Sequence, residues 1–268
     1  MKNLLLVSLV FLSVISATQA FAGDHCRRQD NRCEQNFRRA DIYKELLTAE
    51  GGDVNDAKAG LETIDALSRD LGSSLNTTAA NYIYILNLLG GSYYTQTTKS
   101  TILSISAYVN RNYQLADIVD YFADIYQAEN RDVNDARIGL ETAWIVAKTN
   151  RISLSKAVGL HIKLLNLLGG SYYTETTRTI YAQLANHGRY YPETFPIEDV
   201  YRAYVTLYEA ENRDVNDAMT DLDVVMKGAL ACGNLQEALQ EFTSILNSLG
   251  GSYYTQTAQK TYRDIFGL

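Results

Sequence analysis

The sequence Gly-Gly-Ser-Tyr-Tyr-Thr occupies residues 90–95 and returns unchanged at residues 169–174 and 250–255, at intervals of 79 and 81. A second segment, Asp-Val-Asn-Asp-Ala, recurs with nearly the same spacing, at intervals of 79 and 82. Its copies begin at Asp53, Asp132 and Asp214. The chain of 268 residues therefore contains one unit of about 80 residues, present three times.

Both segments predict tight connections between helices. A glycine after an apolar run adopts the left-handed conformation that ends a helix, and Ser92 is expected to be the N-cap of the next helix. Asp53 follows Gly51-Gly52 and is expected to cap in the same way. In the later copies Asn130 and Asn212 replace the first glycine, and Asn tolerates the left-handed conformation better than most residues.

Two names are used below for these connections. The acidic joints are residues 50–57, 129–136 and 211–218, and the tyrosine joints are residues 90–95, 169–174 and 250–255.

The alternation of the two joints every 40 residues or so predicts an all-α protein, an α-solenoid of about six stacked helical hairpins. Within the helices, apolar residues recur at helical spacing, as in Val54, Ala57, Leu61 and Ile64. We expect about twelve helices and no strand, with helices that begin near Asp41, Leu75, Leu154 and Leu235. The hairpins pair into repeats of residues 37–112, 113–191 and 192–268.

Residues 1–22 have the features of a signal peptide. Lys2 precedes an apolar run from Leu4 to Ile15, and Ala20-Phe21-Ala22 matches a small-x-small cleavage site. We expect cleavage after Ala22, with cleavage after Ala20 as the rival, and a secreted or periplasmic protein with no transmembrane segment after cleavage. Residues 23–36 then form an N-terminal cap, and residues 37–268 form the repeat array.

Three cysteines occur in the chain. In an exported protein Cys26 and Cys33 are expected to form a local disulfide in the N-terminal cap. Cys232 is expected to be a free, partly buried thiol in a loop, with an intermolecular bridge as the alternative.

The composition disfavours a nucleic-acid partner. The formal net charge is −7 at pH 7 and the basic residues form no cluster, so the chain offers no patch for a phosphate backbone. Recognisable catalytic motifs are missing from the sequence. His161 aligns with Tyr82 and Phe242 in the other repeats and is expected to be packed in the core, whereas His187 is expected in a loop.

The acidic joints offer oxygen ligands that suit Ca²⁺. The candidate ligands are Glu50, Asp53 and Asp56, with Glu129, Asp132 and Asp135 and with Glu211, Asp214 and Asp217 in the later copies. The competing interpretation is helix capping by the aspartates, with Arg131 and Arg213 pairing with the glutamates of their joints. The glutamate is the harder residue to explain, because a negative charge at the end of a helix is unfavourable.

The tyrosines are candidates for a partner surface, since the chain contains 20 of them. Adjacent residues on a helix do not face the same way, so one tyrosine of each joint is expected to pack and the other to project. The candidate contact residues are Tyr93, Tyr94, Tyr172, Tyr173, Tyr253 and Tyr254, together with Tyr190 and Tyr191 of a loop. The alternative is that these rings hold neighbouring repeats together.

The sequence therefore predicts an exported binding or scaffolding module for a protein or glycan partner. A calcium-stabilised structural protein of the cell envelope is the alternative, and an enzyme with an unrecognised site is the second. The sequence does not specify the oligomeric state.

Overall fold

The computed structural model describes residues 32–190 and 195–268. Of these residues 83% are helical and none forms a strand, so the all-α prediction is confirmed. The predicted signal peptide, Cys26 and Tyr191 lie outside the described residues, as do the side chains of Cys33 and Tyr190.

The three repeats contribute four α-helices each to this part of the chain. The first contains α1 (Arg32–Ala49), α2 (Val54–Leu71), α3 (Leu75–Leu89) and α4 (Thr95–Ser106). The second contains α5 (Leu115–Ala128), α6 (Val133–Asn150), α7 (Leu154–Leu168) and α8 (Thr174–Tyr190). The third contains α9 (Ile197–Ala210), α10 (Val215–Cys232), α11 (Leu235–Leu249) and α12 (Thr255–Phe266).

The chain divides into two compact units, with the boundary inside α5 after Val119. In the first unit α2 and α3 each pack against α1, against α4 and against each other. In the second unit α10 and α11 make the same set of contacts with α9 and α12. The first and third repeats therefore use one packing pattern, in which a pair of helices joined by an acidic joint packs on a pair joined by a tyrosine joint.

Apolar side chains at helical spacing form the core of each unit. In the first unit Ile64, Ile85 and Leu86 are fully buried, and in the second Leu164 and Leu222 are. Full burial of a side chain of this size contributes about 1.5–3 kcal/mol relative to exposure. None of the helices in the described ranges has the length and apolarity that a bilayer crossing requires.

The acidic joints close their helices as predicted. Asp53 has an extended backbone, and its side chain accepts hydrogen bonds from the backbone N–H groups of Asn55 and Asp56. The equivalent aspartates of the other two joints cap α6 and α10 in the same way. Asn130 adopts a left-handed φ of 51°, as predicted, and the next residue, Arg131, is also left-handed at 66°.

Several helix ends differ from the prediction. The helix α1 extends well before Asp41, since it includes Arg32 and the exposed residues 36–40. His187 lies in α8 and not in a loop. Cys232 is free, as predicted, but it is exposed and is the last residue of α10.

Two helical glycines give a matched test of this packing. A Cβ atom added at Gly228 would overlap the Oη atom of Tyr262, whose ring is fully buried. A Cβ atom at Gly159 would meet nothing within 4 Å. Gly228→Ala is therefore expected to lower the free energy of unfolding by about 1–3 kcal/mol, the usual range for overpacking. Gly159→Ala should raise it by about 0.5–1 kcal/mol.

Chemical denaturation of the two variants and the parent measures both effects. Equal stability of the two variants would contradict the packing of α10 against the ring of Tyr262.

Candidate functional site

Each tyrosine joint consists of a left-handed turn followed by one turn of 3₁₀-helix. In the first joint Gly90 and Gly91 have φ values of 116° and 82°, and the 3₁₀-helix covers Ser92–Tyr94. The prediction that Ser92 is a helix N-cap is wrong, because α4 begins only at Thr95 and Ser92 lies inside the 3₁₀ turn. The other two joints have the same geometry.

The two tyrosines of each joint have different environments. The first is 96–97% exposed in all three joints, whereas the second is 46–50% exposed. The second ring lies over the first glycine of its own joint, since a Cβ atom at Gly90 would be 3.1 Å from Tyr94 Cε2. The first tyrosines are Tyr93, Tyr172 and Tyr253, and the second are Tyr94, Tyr173 and Tyr254. One ring of each pair thus packs locally while the other projects into solvent.

A buried glutamate joins each acidic joint to a tyrosine joint. Glu50 is 1% exposed, and its Oε2 atom accepts a hydrogen bond of 2.5 Å from the hydroxyl of Thr95. The same hydroxyl also contacts Ser92 O at 3.0 Å and so fixes the 3₁₀ turn. Glu129 accepts from Thr174 at 2.5 Å, and Glu211 accepts from Thr255 at 2.6 Å.

These glutamates overturn the proposed pairing with arginine. Glu129 and Glu211 are each 1% exposed, whereas Arg131 and Arg213 are exposed residues on the outside of the turn. Burial raises the pKa of Glu50, the Thr95 hydrogen bond opposes this effect, and the carboxylates of Asp56 and Asp53 add to it.

In the first two repeats an aromatic residue faces the glutamate. Tyr82 is fully buried, and burial followed by the charge of Glu50 raises its pKa, so the phenol keeps its proton. In the second repeat His161 is fully buried, as predicted, and its Nε2 atom lies 3.6 Å from Glu129 Oε1. A polar ring atom therefore accompanies the buried carboxylate in both repeats.

In the third repeat a second carboxyl group takes this place. Asp221 is fully buried beside Glu211, and its Oδ1 atom accepts a hydrogen bond of 2.7 Å from Gln259 Nε2. Burial and the hydrogen bond with Glu211 raise the pKa of Asp221 to about 8. We expect the two adjacent carboxyl groups to share one proton, because both cannot ionise at low cost.

The three repeats differ at two positions close to the buried glutamate. The position of Asp221 is a glycine in the other repeats, Gly60 and Gly139, and a Cβ atom at Gly139 would lie 3.0 Å from His161 Nε2. Glycine therefore admits the polar ring. Where Phe242 supplies no polar atom, Asp221 supplies one instead.

Six of the nine candidate calcium ligands accept hydrogen bonds within the protein. The Oδ1 atoms of Asp53, Asp132 and Asp214 each accept two backbone N–H groups, and the glutamates are bonded to threonines. Burial, followed by the neighbouring aspartate, raises the pKa of Asp135 and of Asp217. No group of three or more His, Cys, Asp or Glu side chains in residues 32–190 and 195–268 is arranged to hold a metal ion.

Sequence reasoning identified Glu50 as an anomaly but did not find its partner. Two signals were available: a threonine follows the tyrosine pair in every repeat, and the change from glycine to Asp221 coincides with the change to Phe242. Both signals concern residues about 20–45 positions apart, so local patterns did not connect them.

Comparisons with known proteins give no match, whether to a protein-family model, to a curated protein or to a solved structure.

Removal of the threonine hydroxyl tests the buried bond. Thr174→Val keeps the shape of the side chain but leaves Glu129 Oε2 buried without its donor. Hydrogen bonds to charged groups contribute about 1.5–3 kcal/mol, so we expect a loss of that size in the free energy of unfolding. Thr206→Val on the exposed surface of α9 is the control and should change stability by less than about 0.5 kcal/mol. If the two variants unfold at the same denaturant concentration, the bond contributes no stability.

The carboxyl pair predicts a specific pH dependence. The pKa of Asp221 is about 8 in the folded protein and about 4 in an unfolded chain. Between these values the folded state holds a proton that the unfolded state releases, so the Asp221 contribution to stability falls as pH rises to 8 and is constant above. Asp221→Asn replaces the shared proton by an amide N–H.

We expect Asp221→Asn to resemble the parent at pH 5 and to exceed its stability by at least about 1 kcal/mol at pH 9. Denaturant unfolding at both pH values measures this difference, with Asp120→Asn at an exposed position as the control. A difference from the parent that is the same at both pH values would refute the shared proton.

Proposed function

We propose that this protein is an exported helical-repeat protein that acts as a binding or scaffolding module, with the projecting tyrosines as its contact groups. The observation that carries the proposal is the near-complete exposure of Tyr93, Tyr172 and Tyr253 in three equivalent settings. An exposed aromatic ring gains from burial against a partner, and aromatic residues are enriched in protein interfaces.

The backbone that presents these rings is held rigidly. In the first joint Gly90 and Gly91 set the turn, Thr95 bonds both Ser92 and Glu50, and the Tyr94 ring packs on Gly90. A tyrosine has few rotatable bonds, so a ring on a fixed backbone loses little conformational entropy on binding. Because the projecting rings are pre-organised in this way, we favour a role in recognising a partner over a role in holding neighbouring repeats together.

Three equivalent presentations also favour a partner with repeated features. If one partner contacts two joints, the second contact is intramolecular and raises the affinity without any new type of interaction. A repetitive glycan or a multimeric protein has this property. The α-solenoid of six hairpins, which would offer an extended surface for such a partner, remains part of the proposal.

Export is a further part of the proposal and rests on residues 1–22. An extracellular or periplasmic location fits an acidic protein whose contact groups are neutral rings rather than cations. The chain purified from the host envelope is expected to begin at Gly23.

A capture experiment with paired variants tests the function. The bait is the mature protein, with its first residue read by mass spectrometry, and the prey is the envelope extract of the host. The variant Tyr93→Ala/Tyr172→Ala/Tyr253→Ala removes only the projecting rings. Because these rings are almost fully exposed, folding should be unchanged and partner capture should fall at least tenfold.

Two comparisons make the result specific. Tyr84→Ala removes an exposed tyrosine outside the joints and should leave capture intact, whereas loss of the second tyrosines should lower stability because they cover glycines. Equal capture by the parent and the triple variant would refute a role for the projecting tyrosines.

A further inference from the structure

An open groove of about 610 Å³ follows α8 and α10 in the second compact unit. Its lining residues run from Glu175 to His187 on α8 and from Val215 to Asp223 on α10. At 1.5 Å per residue the α8 side of the groove is about 18 Å long. The length suits a short chain-like ligand, and the volume falls within the usual range for ligand sites.

The walls of the groove carry amide groups that are free to bind. Gln183 and Asn186 on α8 and Asn216 on α10 line the groove, are exposed, and form no side-chain hydrogen bond within the described residues. Each amide offers two donors and one acceptor. The hydroxyl of Thr220, which also lines the groove, donates to Asn216 O and keeps its oxygen available as an acceptor.

Both carboxylates of the described lining have partners within the protein. Glu175 forms an ion pair with Arg178 at 2.9 Å, and Asp223 lies 3.0 Å from His187 Nε2. No lysine or arginine is among the described residues that line the groove. This part of the lining therefore favours uncharged ligand groups over a phosphate or a carboxylate.

The apolar part of the lining, the floor, consists of Ile180, which is buried, and of Met219 and Val215, which are half-buried. A pyranose ring has this same division, with C–H groups on its faces and hydroxyl groups around its edge. We propose that the groove binds a neutral oligosaccharide, whose hydroxyl groups bond the amides while its ring faces contact the floor.

An extended peptide fits the groove less well. Peptide grooves obtain specificity from apolar pockets that receive alternate side chains, and most of this lining is amide, hydroxyl or carboxylate. A sugar chain offers a hydroxyl group to each of these groups in turn. The inference deepens the proposed binding function by naming a ligand class, and it uses residues other than the projecting tyrosines.

Calorimetric titration with three neutral tetrasaccharides, cellotetraose, maltotetraose and tetra-N-acetylchitotetraose, tests the proposal. At least one should bind the full chain with a dissociation constant below about 1 mM, a usual level for a small open site. The double variant Gln183→Ala/Asn216→Ala removes one amide from each wall and should weaken this binding at least tenfold. Alanine at exposed helical positions preserves folding, which circular dichroism checks.

The controls separate this site from the tyrosine joints. Gln240→Ala/Ser244→Ala changes two exposed polar residues of α11 and should leave the affinity unchanged. The triple variant at Tyr93, Tyr172 and Tyr253 should also retain sugar binding, so failure of the tyrosine proposal would not imply failure of this one. No heat from any of the three sugars at millimolar concentration, equal binding by parent and groove variant, or binding of a tetraglycine peptide in their place would overturn the assignment.

Discussion

The hydrogen bond between a buried glutamate and a threonine some 45 residues later is the interaction on which each repeat depends. A carboxylate that is 1% exposed, as Glu50, Glu129 and Glu211 are, is unfavourable unless donors reach it. Thr95 and its equivalents provide one donor, and they stand at the first position of a helix, where a carboxylate is also favoured by the helix dipole. The bond therefore fixes the separation of two turns that are far apart in sequence.

The same bond explains why the outer face of the tyrosine joint is well defined. The hydroxyl of Thr95 donates a hydrogen bond to the carbonyl of Ser92, and the Tyr94 ring packs over Gly90. These two contacts on either side of Tyr93 fix the position of its backbone. Five of the six residues of a tyrosine joint thus belong to the turn that stabilises the fold, whereas the ring of the first tyrosine projects and makes no such contribution. A substitution of the projecting tyrosine can therefore alter the surface of the protein without altering its fold.

The helices and the acidic joints could be predicted because they depend on residues a few positions apart. The features that depend on burial between distant helices could not be predicted. The starts of α3, α7 and α11 and the capping by Asp53 follow from apolar spacing and cap residues, which act over a few positions. The prediction that Ser92 caps a helix was wrong, because Ser92 lies in a 3₁₀ turn whose carbonyl accepts a hydrogen bond from the Thr95 hydroxyl. Neither the partner of Glu50 nor the raised pKa of Asp221 could be inferred, since both arise from contacts between distant helices. The polar groove likewise depends on how α8 and α10 lie beside each other.

The exchange of Gly139 and His161 for Asp221 and Phe242 limits how this gene can rearrange. Tandemly repeated gene segments commonly recombine with one another. A crossover between the second and third repeats that falls between the two positions would place glycine with phenylalanine, or aspartate with histidine, in the same repeat. The first combination leaves the buried carboxylate without a polar neighbour, and the second places a side chain where the imidazole already lies, 3.0 Å from the glycine Cβ position. Productive crossovers between the third repeat and either of the others must therefore fall outside this interval, whereas the first two repeats, which both carry the glycine, can recombine within it.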